Sequence, residues 1–335
     1  LSCSVGISLF PDDGDSADTL LKNASTALYH AKLQGQNNFQ FYNEKLNRDS
    51  LENLKLENDL RHAIERNELD LHYQPKIDLA SGKVNSVEAL VRWRHPEIGM
   101  IPPGEFIPIA EKTGLITSLG YWILDTACRQ IRAWQDAGYD QLTVAVNLSA
   151  IQFRQTDLLE EILNTLEATG ICSHQLELEI TESTIMDDID TASSTLRALH
   201  CSGINISIDD FGTGYSSLSH LKRFPINTVK IDRSFIRDIT TDSDDAAIVG
   251  AIIAMAHNMG LKVIAEGVET QQQLDFLYSL QCDEVQGFLF SPPVPHQEAC
   301  ALLDPVSYTH LRAHETSDDS SYAVFCLKIG GGGGG

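Results

Sequence analysis

From residue 70 to residue 304, short apolar strand signals alternate with helix-length amphipathic segments, and this alternation constrains the fold more than any other feature. Strand patterns fall at His72–Leu79, Val84–Trp93, Leu142–Ser149, Leu176–Thr181, Ile204–Asp209, Thr228–Asp232, Lys262–Ala265 and Glu284–Phe290. Helical patterns lie between them at Tyr121–Ala137, Asp157–Thr169, Ile189–Cys201, Asp244–Met259 and Gln271–Leu280. Eight strands with mostly helical crossovers predict an α/β fold, a TIM-like (β/α)8 barrel. Only Ala80-Ser81-Gly82-Lys83 separates the first two strands, too short for a crossover. That pair is therefore expected to be antiparallel, so the barrel carries one inverted strand.

In a helix-wrapped barrel both faces of each strand are buried, so aliphatic residues face the helices and the polar residues between them point inward. Val87 and Ala89 flank Glu88, Val146 and Leu148 flank Asn147, Leu178 and Ile180 flank Glu179, and Val229 and Ile231 flank Lys230. Ala265 precedes Glu266 in the same way, and Ile206-Ser207-Ile208 leads into Asp209-Asp210-Phe211-Gly212-Thr213-Gly214. A lone Asp-Asp-x-Gly reads more simply as a strand entering an acidic surface turn. Here the other strands end alike, so carboxylates converge on the barrel mouth and would repel one another without cations. Oxygen-only donors, with no His or Cys among them, favour Mg²⁺ or Mn²⁺ over zinc. Adjacent aspartates at a strand end can also hold two cations, as two-metal phosphoryl chemistry requires.

The flanks read differently. Leu1–Phe10 is strand-like, Pro11–Gly14 an acidic turn, and Ser16–Leu33 a helix closed by Gly35-Gln36-Asn37. Residues 44–69 read as a connecting helix, with Asp49 and Glu52 as a capping box. Its stripe Leu56, Leu60, Ala63 and Ile64 is expected to pack on a neighbouring domain. Residues 305–335 break the pattern: Pro305–Thr316 and Ser321–Lys328 read as translated sequencing adapter, and a glycine run follows, so this tail is expected to be non-native. The expected domains are 1–43, the connector 44–69, the barrel 70–304 and the tail 305–335.

Acidic residues number 47 against 24 Lys plus Arg, a formal charge of −23, which argues against a groove for a nucleic-acid duplex. An anionic substrate would need local basic residues or bound cations. Cysteines 3, 128, 172, 201, 282, 300 and 326 show no Cys-x-x-Cys spacing and read as reduced thiols of a cytoplasmic protein. No apolar run reaches the roughly 18 residues of a membrane span. Without an initiator Met, the stretch is expected to come from a longer protein whose upstream segments could anchor it to a membrane.

The barrel resembles the EAL-domain cyclic di-GMP phosphodiesterases over residues 70–304. The resemblance lies in Tyr73-Gln74-Pro75, Glu88-Ala89-Leu90-Val91-Arg92-Trp93, Val146-Asn147-Leu148-Ser149, Glu179-Ile180-Thr181-Glu182 and Asp209–Gly214. It continues in Val229-Lys230-Ile231-Asp232, Ala265-Glu266-Gly267-Val268-Glu269 and Gln286-Gly287. Residues 1–43 resemble the C-terminal part of a GGDEF (diguanylate cyclase) domain in Ser4-Val5-Gly6-Ile7, Ala27-Leu28-Tyr29, Ala31-Lys32 and Gly35-x-Asn37. They depart from it at Ser25 and Gln36, where Asp and Arg are common, and lack the GGDEF signature.

The EAL resemblance implies hydrolysis of one phosphodiester of cyclic di-GMP to linear pGpG in bacterial signalling, with two Mg²⁺ or Mn²⁺ ions and inhibition by Ca²⁺. It implies that Glu88, Asn147, Glu179 and Asp209 hold one ion, and Asp209, Asp210 and Glu266 the other. Lys230 and Glu266 are then the catalytic pair, either of which could be the formal base. Gln74, Leu90, Arg92, Asn147, Asp232 and Gln286 contact the nucleotide, and Arg92 suits bidentate pairing with guanine or phosphate. Glu182 and Glu269 brace the Asp210–Leu218 loop, unless they are plain surface carboxylates. A homodimer through the barrel is a further expectation. The alternatives are a cyclic di-GMP receptor that binds without cleaving, another metal-dependent barrel hydrolase or lyase, or a signalling scaffold.

Overall fold

A computed structural model describes residues 3–33, 37–214 and 221–303, with backbone alone at 33 and 44–53. The tail expected at 305–335 and the turn residues Gly35 and Gln36 lie outside the described residues. The eight expected strands all form, and they close into a barrel. The strands β3 (Leu69–Asp78) and β4 (Lys83–His95) pair antiparallel, as their short connection requires. From β4 the ladder runs parallel through β6 (Thr143–Asn147), β7 (Leu176–Thr181), β8 (Asn205–Phe211), β9 (Thr228–Ile231), β10 (Lys262–Glu266) and β11 (Glu284–Gln286). Antiparallel pairing of β11 with β3 closes the ring. The fold is thus the TIM-like barrel with one inverted strand.

Aliphatic residues of the strands meet the helices in one continuous core, in which Val87, Val144, Leu178, Ile206, Val229 and Val263 are all buried. Tyr73 packs edge-on against Trp134 at 4.9 Å between centroids, and Trp93 against Phe106 at 5.6 Å. Such pairs contribute about 0.5–1.5 kcal/mol beyond the area they bury.

Several boundaries differ from the sequence reading. The last barrel strand stops at Gln286 rather than Phe290 because the chain turns at Gly287, where a Cβ would stand 2.1 Å from the Val268 carbonyl oxygen. Two short strands were not foreseen: β5 (Gly99–Ile101) on β4 and β12 (Val294–Pro295) on β3. A helix at Pro103–Thr113 was also missed, since Pro102, Pro103 and Pro108 make it read as a loop; Pro103 sits in its first turn, where no N–H is needed. The connecting helix spans Glu44–Ala63, so Asp49 and Glu52 lie inside it rather than at its start. Its stripe packs as expected, with Leu56, Leu60 and Ala63 in the barrel core and Ile64 against it.

Ahead of it, β1 (Val5–Ile7) and β2 (Phe39–Phe41) run parallel, joined by the helix Ala17–Leu33. A Cβ at Gly6 would lie 2.1 Å from the Ala24 carbonyl oxygen, so only glycine lets this helix sit so close to β1. Cys3, Cys128, Cys172, Cys201, Cys282 and Cys300 are all free thiols. Among the described residues no helix is long and apolar enough to cross a membrane.

Candidate active site

Strand alternation brings Asn147, Glu179, Asp209, Lys230, Glu266 and Gln286 to or near the C-terminal ends of their strands, and Glu88, midway along the longer β4, sits beside them. The inverted strand contributes Gln74, directly opposite Glu88. Lys230 is the centre of the group. Its Nζ lies 2.6 Å from Glu179 Oε2, 2.6 Å from Glu266 Oε1, 3.2 Å from Asp209 Oδ1 and 3.9 Å from Glu88 Oε2. Neutral amides orient Glu88: Asn147 Nδ2 donates to its Oε1 at 2.6 Å, and Gln286 Nε2 to its Oε2 at 2.6 Å. Gln286 Nε2 also reaches Gln74 Oε1 at 3.0 Å, and Gln74 is anchored in turn on the Ser291 carbonyl.

The Asp-Asp pair depends on a feature that was not read from sequence. Between β8 and β9 the register shifts: Ile208 pairs with Val229 and Phe211 with Ile231, so β8 carries one extra residue at Asp209-Asp210. A bulge of this kind breaks the alternation that would send adjacent side chains to opposite faces. Asp210 adopts φ 54°, a left-handed conformation that Asp tolerates better than most residues. Asp209 then meets Lys230, while Asp210 lies beside Asp232. Partial burial, with Asp209 and Asp232 nearby, raises the pKa of Asp210.

Around this centre, Leu90 and Arg92 continue the Glu88 face of β4. Arg92 is half-buried and donates to the Val91 carbonyl at 2.8 Å. Glu182 is buried and accepts from the Gly212 N–H at 2.9 Å; a Cβ at Gly214 would lie 2.6 Å from its other oxygen. It therefore braces the start of the loop after β8, of which residues 215–220 lie outside the described residues. Glu269 is exposed and its backbone N–H donates to Gln273 Oε1, which fits a surface carboxylate better than a brace. Sequence reading missed Lys76 and Glu177 altogether: Lys76 Nζ lies 2.9 Å from Glu177 Oε1 and 2.8 Å from Glu179 Oε1.

The charges do not balance. Burial, then Glu179, pushes Glu88 up to about 7; burial, with Asp209 and Glu88 added, pushes Glu266 up to about 8. Burial alone would also raise Glu179, but Lys230 and Lys76 outweigh it and hold this carboxyl at about 2. Among the described residues no three acidic, imidazole or thiol groups stand close enough together to hold a metal ion. The donor set still suits one: the acidic groups outnumber Lys230 and Lys76, and the donors are oxygens, which match hard divalent cations.

A pH dependence follows. Glu88 and Glu266 have folded pKa values above the unfolded carboxylate range, so they stabilise the fold below about pH 4.3 and lose that contribution as pH rises through about 7 and 8. Without divalent metal the melting temperature should fall between pH 5 and 8. Added Mg²⁺ should raise it more at pH 8 than at pH 6, because it must bind ionised carboxylates. Melting curves in chelator and in Mg²⁺ check this; a metal effect independent of pH would contradict it.

A family model described as the EAL domain matches residues 57–293, most of the chain. The chain belongs to the EAL family. At the N-terminus, the model for the diguanylate cyclase GGDEF domain matches residues 1–38. The bifunctional diguanylate cyclase/cyclic di-GMP phosphodiesterase MucR of Pseudomonas aeruginosa is 50% identical over 303 residues, covering 90% of this chain and 44% of that protein. Cyclic di-GMP phosphodiesterase PdeR of Escherichia coli is 42% identical over 294 residues, 88% of this chain and 44% of PdeR. The chain thus spans under half the length of these curated relatives. Its EAL barrel is also similar to the solved structure of the MucR phosphodiesterase in complex with c-di-GMP: TM-score 0.72, 51% identity, covering 73% of this chain and 99% of that one.

Proposed function

We propose that this EAL barrel hydrolyses one phosphodiester of cyclic di-GMP to linear pGpG with the help of divalent cations. The observation that carries the reading is Lys230 facing Glu179, Glu266, Asp209 and Glu88 from four other strands, a cluster whose negative charge exceeds what lysines supply. The names of the similar proteins support the same substrate. Glu88, Asn147, Glu179 and Asp209 would hold one Mg²⁺ or Mn²⁺, and Asp209, Asp210 and Glu266 a second; when bound, these ions neutralise phosphate charge and acidify a water.

The chain's own groups do the rest. Lys230, a buried cation held by the surrounding carboxylates, donates a hydrogen bond that orients the attacking water. Glu266, its Oε1 2.6 Å from Lys230 Nζ, is placed to take the water's proton once bound cations hold it ionised. The water oxygen bonds to phosphorus as the bond to the 3′ oxygen breaks; Glu266 keeps the water's proton, and the leaving 3′ oxygen takes one from solvent. Gln74, Gln286, Leu90, Arg92 and Asp232 line the approach, and Arg92 supplies the positive charge that an anionic nucleotide needs on an acidic protein.

Incubating the chain with cyclic di-GMP and Mg²⁺, beside cyclic mononucleotides and a simple aryl phosphodiester, tests this. Rapid conversion of cyclic di-GMP to pGpG is expected. Tight calorimetric binding with no product would instead make the chain a receptor, and equal cleavage of all the diesters would make it a general phosphodiesterase.

A further inference from the structure

We infer that Lys76, from the inverted strand, is a positioning residue that fixes the carboxylate of Glu179 for cation binding. The inference deepens the phosphodiesterase reading and rests on it only where turnover is concerned. Lys76 is fully buried, its side chain 0% exposed, and so is that of Glu179. A buried ammonium costs several kcal/mol unless it is well paired. Here it meets Glu177 Oε1 at 2.9 Å and Glu179 Oε1 at 2.8 Å.

Glu179 is held from both sides: Lys76 takes Oε1 while Lys230 takes Oε2 at 2.6 Å. Two cations on separate oxygens fix both the tilt and the rotation of the carboxylate plane. Glu88 has neutral amides in the same role, from Asn147 and Gln286. The β3–β4 ladder shifts register between Lys76 and Ile77, and a bulge there re-aims a side chain and increases local twist. The strand that breaks the parallel pattern of the barrel thereby brings a positive charge under a site otherwise built from parallel strands. Groups that orient a metal ligand from behind typically contribute 10–100-fold to metal affinity.

Lys76→Met alone would strand Glu177 and Glu179 on one remaining lysine and could simply unfold the protein. Glu177→Gln in the same chain removes the second charge, so the double variant Lys76→Met/Glu177→Gln is the informative one. Mn²⁺ binding is read from the free-ion EPR signal, alongside melting in chelator and the kcat and KM for cyclic di-GMP at saturating Mn²⁺. The double variant should melt near wild type yet bind Mn²⁺ about 10–100-fold more weakly. Its kcat should fall while KM stays put, and Glu177→Gln alone, which keeps the Lys76–Glu179 contact, should bind Mn²⁺ as the wild type does. The inference is overturned if the double variant binds Mn²⁺ at wild-type strength, if Glu177→Gln alone shows the same loss, or if the wild-type chain takes up no Mn²⁺. A wild type that binds Mn²⁺ without cleaving cyclic di-GMP would defeat the activity reading, while the affinity comparison would still decide the role of Lys76.

Discussion

Replacing Lys230 with alanine should lower cyclic di-GMP turnover by about 10²–10⁴-fold while metal and nucleotide still bind, the loss typical of a group that helps a proton move in the transition state. The geometry sets this expectation. Burial opposes the charge of Lys230, but Glu179, Glu266, Glu88 and Asp209 together hold it protonated well above the ordinary lysine value. A lysine so held is a donor and orients water rather than abstracting its proton. Its removal loosens one oxygen of Glu179 but also deletes a positive charge that repels cations, so these changes oppose each other and metal should still bind. Steady-state kinetics beside Mn²⁺ titration separates turnover from binding. Wild-type turnover in the variant would remove Lys230 from the mechanism.

Exchanging the cation should have an effect at least as large. Oxygen donors accept Ca²⁺ as readily as Mg²⁺, but Mg²⁺ holds them at about 2.0–2.1 Å in near-octahedral geometry, and Ca²⁺ at about 2.3–2.6 Å with more ligands. Ca²⁺ should therefore neutralise Glu88, Glu179, Asp209, Asp210 and Glu266 and admit the anionic nucleotide, yet leave the water weakly acidified and loosely placed. Calorimetry should show cyclic di-GMP binding in Ca²⁺ with little product formed, and Mg²⁺ or Mn²⁺ should restore hydrolysis. Turnover that persists in excess chelator, or proceeds equally in Ca²⁺ and Mg²⁺, would contradict a cation-dependent site.

Much of this site was legible in the chain because a barrel strand buried on both faces leaves a polar residue only one direction to point. Glu88, Glu179 and Lys230, each between aliphatic neighbours, therefore declared themselves. The inverted first strand was equally plain, since Ala80–Lys83 cannot span a crossover. What stayed hidden depends on register and on distant pairing. The extra residue at Asp209-Asp210 is invisible to a period-two pattern, yet it is what keeps the two carboxylates from pointing to opposite faces of the strand. Lys76 follows Gln74 on the inward face of β3, but its partners lie 101 and 103 residues away, and nothing local marks them. The helix at Pro103–Thr113 hid behind its prolines, and the strand ending at Gln286 looked longer because the apolar Phe288-Leu289-Phe290 follow a turn that only the close approach of Gly287 to Val268 reveals.

The central claim is that a water, activated among the carboxylates around Lys230, attacks one phosphorus of cyclic di-GMP. Hydrolysis in ¹⁸O-labelled water with Mg²⁺, followed by mass spectrometry of the product, tests it directly. The account predicts pGpG carrying one heavy oxygen on its 5′-terminal phosphate, with none formed when the metal is chelated. No pGpG at all, or pGpG whose phosphate holds only ordinary oxygen, would contradict it.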